Sequence, residues 1–186
     1  MTDRNTSTPE PAARVRRATP DDAAAITAVL TAVVAERAFS AIDRPWTEDE
    51  QRRYLATLSG REAFHVAEVD LPAEAGSHPA PAIVGYQSLD RYSTFLPSMA
   101  HVGQLGTFIL PAWRGGGIGR ALFTATRQFA AGAGYRKFVI YVRGSNTAAQ
   151  AFYQRLGFVP CGRLTRQAVI DGREDDEVLM EYFLQS

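Results

Sequence analysis

Apolar positions divide the chain into segments that repeat near every 3.6 residues and segments that alternate or run without interruption. Residues 14–18 read as a short strand leading into Thr19-Pro20-Asp21-Asp22. Thr19 is a good helix N-cap, Pro20 suits the first helical position, and the two aspartates complement the helix dipole. A first helix is predicted to run to about Ala35. Thr47-Glu48-Asp49-Glu50 forms a capping box for a second helix ending near Ser59-Gly60. Residues 64–69 and 83–90 read as strands, and the Pro/Ala/Gly-rich stretch 71–81 between them as a long hairpin loop. Residues 102–110 form a further strand pattern, interrupted by Gly103 and Gly106, which mark a bulge or a close backbone approach.

Three glycines follow Pro111-Ala112-Trp113-Arg114 and open an Ala-rich helix over about 117–133. Residues 137–142 (KFVIYV) are almost continuously apolar, the pattern of a strand covered on both faces. Ser145 is placed to cap a helix over 146–156, which Gly157 ends. Two last strands, about 158–170 and 177–184, flank a turn at Asp171-Gly172. The order is βααβββαβαββ, an α/β (α+β) domain with a mixed, mostly antiparallel sheet flanked by helices. A single domain over 14–186 is expected, preceded by a polar tail at 1–13 too poor in apolar residues to order itself.

The chain of 186 residues is 46% hydrophobic and 22% charged, ordinary for a globular protein. Lys+Arg and Asp+Glu are each 20, which argues against a protein held to nucleic acid or membrane by bulk charge. The one cysteine, Cys161, excludes an internal disulfide framework and is expected as a small core residue. The histidines, His65, His78 and His101, have no metal-ligand spacing. No apolar window approaches the ~20 residues of a membrane span, and the first residues are no secretory leader, so a cytoplasmic protein without a metal is expected.

Chemistry concentrates at Arg114-Gly115-Gly116-Gly117-Ile118-Gly119, between a strand and a helix. Glycines there expose backbone N–H groups, and the helix dipole adds positive charge, a combination that binds phosphate with Arg114 and Arg120 beside it. The Rossmann fingerprint would need glycine where Arg120 stands, and a Walker loop would need a lysine. Either the loop holds another phosphate ligand or it is a plain strand-to-helix turn.

The stretch 109–119 resembles the signature of the Gcn5-related N-acetyltransferase (GNAT) superfamily, Gln/Arg-x-x-Gly-x-Gly/Ala after a strand ending in Val/Ile-x-Pro. The stretch 145–158 resembles the same family's Asn-x-x-Ala-x-x-x-Tyr-x-x-x-Gly-Phe segment, with Asn146 and Tyr153 two helical turns apart. The resemblance is strong from Val102 onward; earlier residues match in element order only. It implies that Arg114, Gly115, Gly116, Gly117, Ile118, Gly119 and Arg120 hold the pyrophosphate of acetyl-CoA. It also implies that Thr107, Phe108 and Ile109 on a splayed, bulged strand offer backbone groups to the acetyl carbonyl and pantetheine arm. Asn146 would hydrogen-bond that arm, and Tyr153 would sit beside the sulfur as general acid; the plainer reading makes Tyr153 core and Asn146 a helix-start residue. A tyrosine is protonated at neutral pH, so Tyr153 suits a departing thiolate. Arg143 and Arg155 are candidates for a basic rim.

The general base is open. Where some members carry glutamate five residues before the Asn, this chain has Tyr141; Glu36, His101, Glu68 or a water chain are the alternatives. The expected activity is acetyl transfer to a primary amine by direct attack in a ternary complex. A small metabolite or amine-bearing antibiotic is favoured over a protein N-terminus or lysine, because the hairpin at 171–180 resembles the tail of phosphinothricin-like enzymes. A non-catalytic acyl-CoA sensor is the alternative of another class. Late strands of the family often pair across a homodimer.

Overall fold

The computed structural model describes residues 13–71 and 81–184. The expected tail at 1–13 and hairpin loop at 71–81 therefore fall, apart from Ala13, Leu71 and Pro81, outside the described residues. Strand β1 (Arg14–Arg17) is followed by a 3-10 turn (Pro20–Asp22), helices α1 (Ala23–Ala35) and α2 (Glu48–Thr57), and strands β2 (Ala63–Asp70), β3 (Pro81–Arg91) and β4 (Val102–Ile109). Helix α3 (Ile118–Gly132), strand β5 (Lys137–Arg143), helix α4 (Thr147–Leu156) and strands β6 (Val159–Ile170) and β7 (Arg173–Phe183) complete the chain. The strands form one sheet in the order β1-β2-β3-β4-β5-β7-β6. Neighbours are antiparallel except β4 and β5.

Each helix covers the sheet by the stripe its sequence dictates. In α1, Ile26, Val29, Leu30 and Val34 recur at helical spacing and are buried. With Phe64, Val66 and Tyr86 they build the core on one face of the sheet. On the opposite face, Phe123 and Ala130 of α3 and Tyr153 of α4 pack with Leu89, Phe138 and Met180, and Leu122 of α3 packs with Ala67, Val69 and Val84. Helix α2 has the predicted capping box: the Thr47 hydroxyl accepts from the Glu50 amide at 3.2 Å, and the Glu50 carboxylate accepts from the Thr47 amide at 2.7 Å. Asp171 and Gly172 both take positive φ, 51° and 73°, the backbone of a tight hairpin turn.

Three expectations are corrected. Cys161 is exposed, because β6 is the last strand of the sheet and nothing packs beyond it. Asn146, not Ser145, caps α4, its Oδ1 accepting from the Ala149 amide at 3.0 Å; the Ser145 hydroxyl instead donates to Asp175 at 2.6 Å. Gly103 and Gly106 mark no bulge, since β3 and β4 stay in register from Gly85–Ile109 to Arg91–Gly103. Gly103 is a close approach: a Cβ there would stand 2.5 Å from Leu89 Cδ1 and 3.2 Å from the Tyr135 ring.

His65 faces α3 from β2, its Nδ1 3.0 Å from the Thr126 hydroxyl, and burial lowers its pKa to about 4. Above the ordinary histidine value near 6.5 both folded and unfolded chains hold a neutral ring. Between there and about 4 only the unfolded chain takes up the proton, so this contribution to stability is present at neutral pH and lost as pH falls. Urea unfolding at pH 7.5 and pH 5 should show a drop at the lower pH that His65→Gln reduces; an equal drop in the variant refutes the assignment.

Candidate active site

Strands β4 and β5 start side by side and then part. Pairing covers Val102–Lys137, Gly103–Phe138 and Gln104–Val139 and stops, while both strands continue, to Ile109 and Arg143. The Leu110 amide donates to Val84 O at 2.9 Å, so by strand alternation the backbone groups of Gly106 and Phe108 point to β3. Those of Leu105, Thr107 and Ile109 point into the opening. Of Thr107, Phe108 and Ile109, the backbone N–H groups of Thr107 and Ile109 therefore face it, and Phe108 presents its side chain, stacked 5.0 Å from Tyr86. A cavity of about 1070 Å³ fills the parting and extends beneath the α1–α2 connection.

The glycine loop closes one end. Gly115 and Gly117 take φ of 88° and 85°, which only glycine adopts without strain, and a Cβ at either would meet nothing within 4 Å. The first intrahelical bond of α3 runs from the Ala121 amide to Gly117 O at 3.0 Å, leaving the Ile118, Gly119 and Arg120 N–H groups free. Gly119 lets α3 and α4 approach: a Cβ there would lie 2.7 Å from the Phe152 ring. Arg120 and Arg155 line the cavity with no ion pair among the described residues. Arg114 is tied otherwise. Its guanidinium chelates Glu36 at 2.5 and 2.9 Å, donates to Ile109 O at 3.0 Å, and stacks 4.6 Å from the Phe39 ring centre. Gly116 is exposed at the tip of the loop.

Tyr153 is 6% exposed, and its hydroxyl donates to Thr107 Oγ1 at 2.9 Å. Burial pushes its pKa up to about 12, against a small opposing effect of the Thr107 hydrogen bond. Thr107 Oγ1 also accepts from Gln87 Nε2 at 2.7 Å. Asn146 lines the cavity, but its amide is engaged at both ends, by the cap of α4 and by a 3.3 Å bond to Phe39 O. Arg143 is held by Asp175 at 2.7 Å and by Arg37 O at 2.7 Å.

Two of the three side chains considered for the general base are held in ion pairs. Glu36 is paired with Arg114, and Glu68 is paired with Arg14 and Arg16 at the other end of the sheet. Neither these two nor His101 lines the cavity. Two unflagged carboxylates do: Asp90 at the end of β3 and Glu177 on β7. Burial raises the pKa of each. The signal for Asp90 was the alternation Tyr86-Ser88-Asp90, which puts polar groups on a face that otherwise packs against α1.

The description of the GNAT acetyltransferase family matches residues 32–158. Among curated proteins, the mycothiol acetyltransferase of Amycolatopsis mediterranei is 50% identical over 48 residues, 26% of this chain and 16% of that protein. The N-alpha-acetyltransferase RimI of Mycobacterium tuberculosis is 33% identical over 101 residues, 53% of this chain and 60% of that protein. The chain thus spans less than two thirds of the length of these relatives. The Salmonella typhimurium protein yncA, solved with its cofactor acetyl-CoA, superposes with a TM-score of 0.79 at 23% identity, over 94% of this chain and 95% of that one.

The Gly119–Phe152 approach predicts that Gly119→Ala lowers unfolding stability by about 1–3 kcal/mol through overpacking. Gly132→Ala, where a Cβ meets nothing within 4 Å, should cost nothing. Chemical denaturation of both variants checks the difference.

Proposed function

The chain belongs to the GNAT family of acetyltransferases, and on that premise we propose that it moves the acetyl group of acetyl-CoA onto a primary amine by direct attack. The observation that carries this reading is the parting of β4 and β5, with Tyr153 buried against its wall and free helix N–H groups at its mouth. The residues fit acetyl-CoA: the start of α3, Arg120 and Arg155 suit its phosphates, and the open edge of β4 suits its amide-bearing arm. Asn146 faces the same channel, with its side chain already holding α4 to the backbone at Phe39.

Bound there, acetyl-CoA supplies a thioester whose acyl carbon takes the amine and whose sulfur leaves. The Thr107 and Ile109 N–H groups are oriented to donate to negative charge on an acyl oxygen. Tyr153 holds its proton at Oη throughout the neutral range and gives it to the departing sulfur, while the amine loses its proton to solvent or a cavity carboxylate. The burial that keeps Tyr153 protonated also raises the proton affinity of a thiolate formed beside it, so the two stay matched. A small metabolite or amine-bearing antibiotic fits the roofed cavity beneath the α1–α2 connection. The likeness to RimI favours a second reading, a protein N-terminus as acceptor.

Thermal unfolding with acetyl-CoA, ATP and NAD in parallel tests the cofactor. A ligand at about 100 times its dissociation constant adds ~2.7 kcal/mol, a rise on the order of 5–10 °C at this size. The rise is expected with acetyl-CoA alone; a rise with a nucleotide instead refutes the reading. Tyr153→Phe should lower kcat by ~10²–10⁴-fold with acetyl-CoA affinity nearly unchanged. Unaltered turnover removes Tyr153 from the chemistry.

A further inference from the structure

The cavity is electrically divided. Arg120 and Arg155 belong to α3 and α4, at the end formed by the glycine loop. The rest of the cavity lining carries two carboxylates, Asp90 and Glu177, without an arginine or lysine partner among the described residues. That is unusual in this chain, where Glu36, Glu68, Asp175 and Asp176 each hold an arginine. Asp90 accepts a hydrogen bond from the Tyr54 hydroxyl. Glu177 lies opposite Arg143 across the β5–β7 ladder, but Arg143 is taken by Asp175 and Arg37 O. By register, Asp90 sits at the vertex where β4 and β5 separate, opposite Gln104, and Glu177 sits on the far wing.

Two further features point to what those charges meet. Gln51 lines the same cavity at 2% exposure, and its Nε2 has no hydrogen-bond partner among the described residues. Gln51 is neutral, so the anionic groups of this wall remain Asp90 and Glu177. Beside it runs an apolar wall of rings: Trp46 edge-on to Tyr54 at 5.3 Å, and Phe64 stacked on Tyr86 at 4.7 Å. Such a wall takes a flat body and favours a cation near its faces.

Resting on the acetyl-transfer reading, we infer that the acceptor is a cationic primary amine with a flat apolar body and no anionic group, drawn in by Asp90 and Glu177. An α-carboxylate next to the amine would enter a region that already holds two unpaired negative charges, with Arg114 committed to Glu36 and Arg143 to Asp175. Amines are therefore separated from the corresponding amino acids by charge rather than by shape.

Matched pairs isolate that charge: phenethylamine against phenylalanine, and tyramine against tyrosine, with saturating acetyl-CoA and thiol release as readout. The amine of each pair should have a kcat/KM higher by roughly tenfold or more, the expected penalty for like charges in a partly desolvated site. Asp90→Asn and Glu177→Gln should each narrow that ratio several-fold while the thermal rise with acetyl-CoA persists, which a purely structural role would not produce. A ratio near one, a ratio favouring the amino acid, or variants that leave the ratio unchanged overturn the inference. So does acetylation of none of the four in a protein still stabilised by acetyl-CoA, an outcome that leaves the cofactor reading standing. Loss of the acetyl-CoA rise itself removes both. Should either variant fail to fold, the wild-type ratio alone decides.

Discussion

A strand inside a sheet must satisfy its backbone N–H and C=O groups on both edges, and β4 meets that requirement on only one. Toward β3 its ladder runs unbroken from Gly103 to Ile109; toward β5 it stops at Gln104. The groups at Leu105 and Thr107 and the Ile109 N–H are then left to water or to a ligand with amide-like chemistry, while Arg114 takes the Ile109 carbonyl. Everything else at the site is arranged around that unfilled edge. Helix α3 begins where β4 ends, so its free N–H groups open on the same gap. Helix α4 lies under the gap with Tyr153 bonded to Thr107, the middle residue of the open edge. The antiparallel pairing of β5 with β7 holds the far wing in place.

The parting needs rigid walls, and arginine–carboxylate pairs supply part of them. Arg114 connects three otherwise separate pieces: Glu36 after α1, Phe39 in the following loop, and the last carbonyl of β4. Arg143 does the same on the other wing, joining β5 to Asp175 of β7 and to Arg37 O. A single exposed pair of this kind contributes little, but bidentate and partly buried ones fix geometry. Both arginines are thereby removed from the stock of free positive charge in the cavity. Among the described residues the free cations left in the lining are Arg120 and Arg155 of the helices, and they set its polarity.

How much of this was legible in the sequence follows from the range of the interactions involved. The capping box at Thr47 and Glu50, the left-handed glycines Gly115 and Gly117, the Asp171-Gly172 turn and the Asn146–Tyr153 spacing are all local, and each could be read along the chain. The role of Gly103 was half legible: a glycine in a strand signals a bulge or a close approach, and only the positions of Leu89 and Tyr135 decide which. Cys161 was misread because nothing local says that β7 inserts between β5 and β6 and leaves β6 at the edge. The motif that places Arg114 in the glycine loop does not contain Glu36, 78 residues away, so the ion pair that holds its guanidinium is not written there.

The two halves of the cavity differ in the range of the interactions that build them. The half built by the glycine loop and α4 lies within the residues that match the family, 32–158, and its geometry is encoded by short motifs. The half proposed for the acceptor takes Gln51 from α2, Asp90 from β3 and Glu177 from β7, residues that line one cavity and that no short motif links. Glu177 lies beyond the matched residues altogether. A fold that fixes the donor with local sequence and assembles the acceptor wall from three distant elements can exchange that wall without disturbing the donor. A wall assembled from three distant elements is also the part of the site that resemblance through short motifs transfers least well.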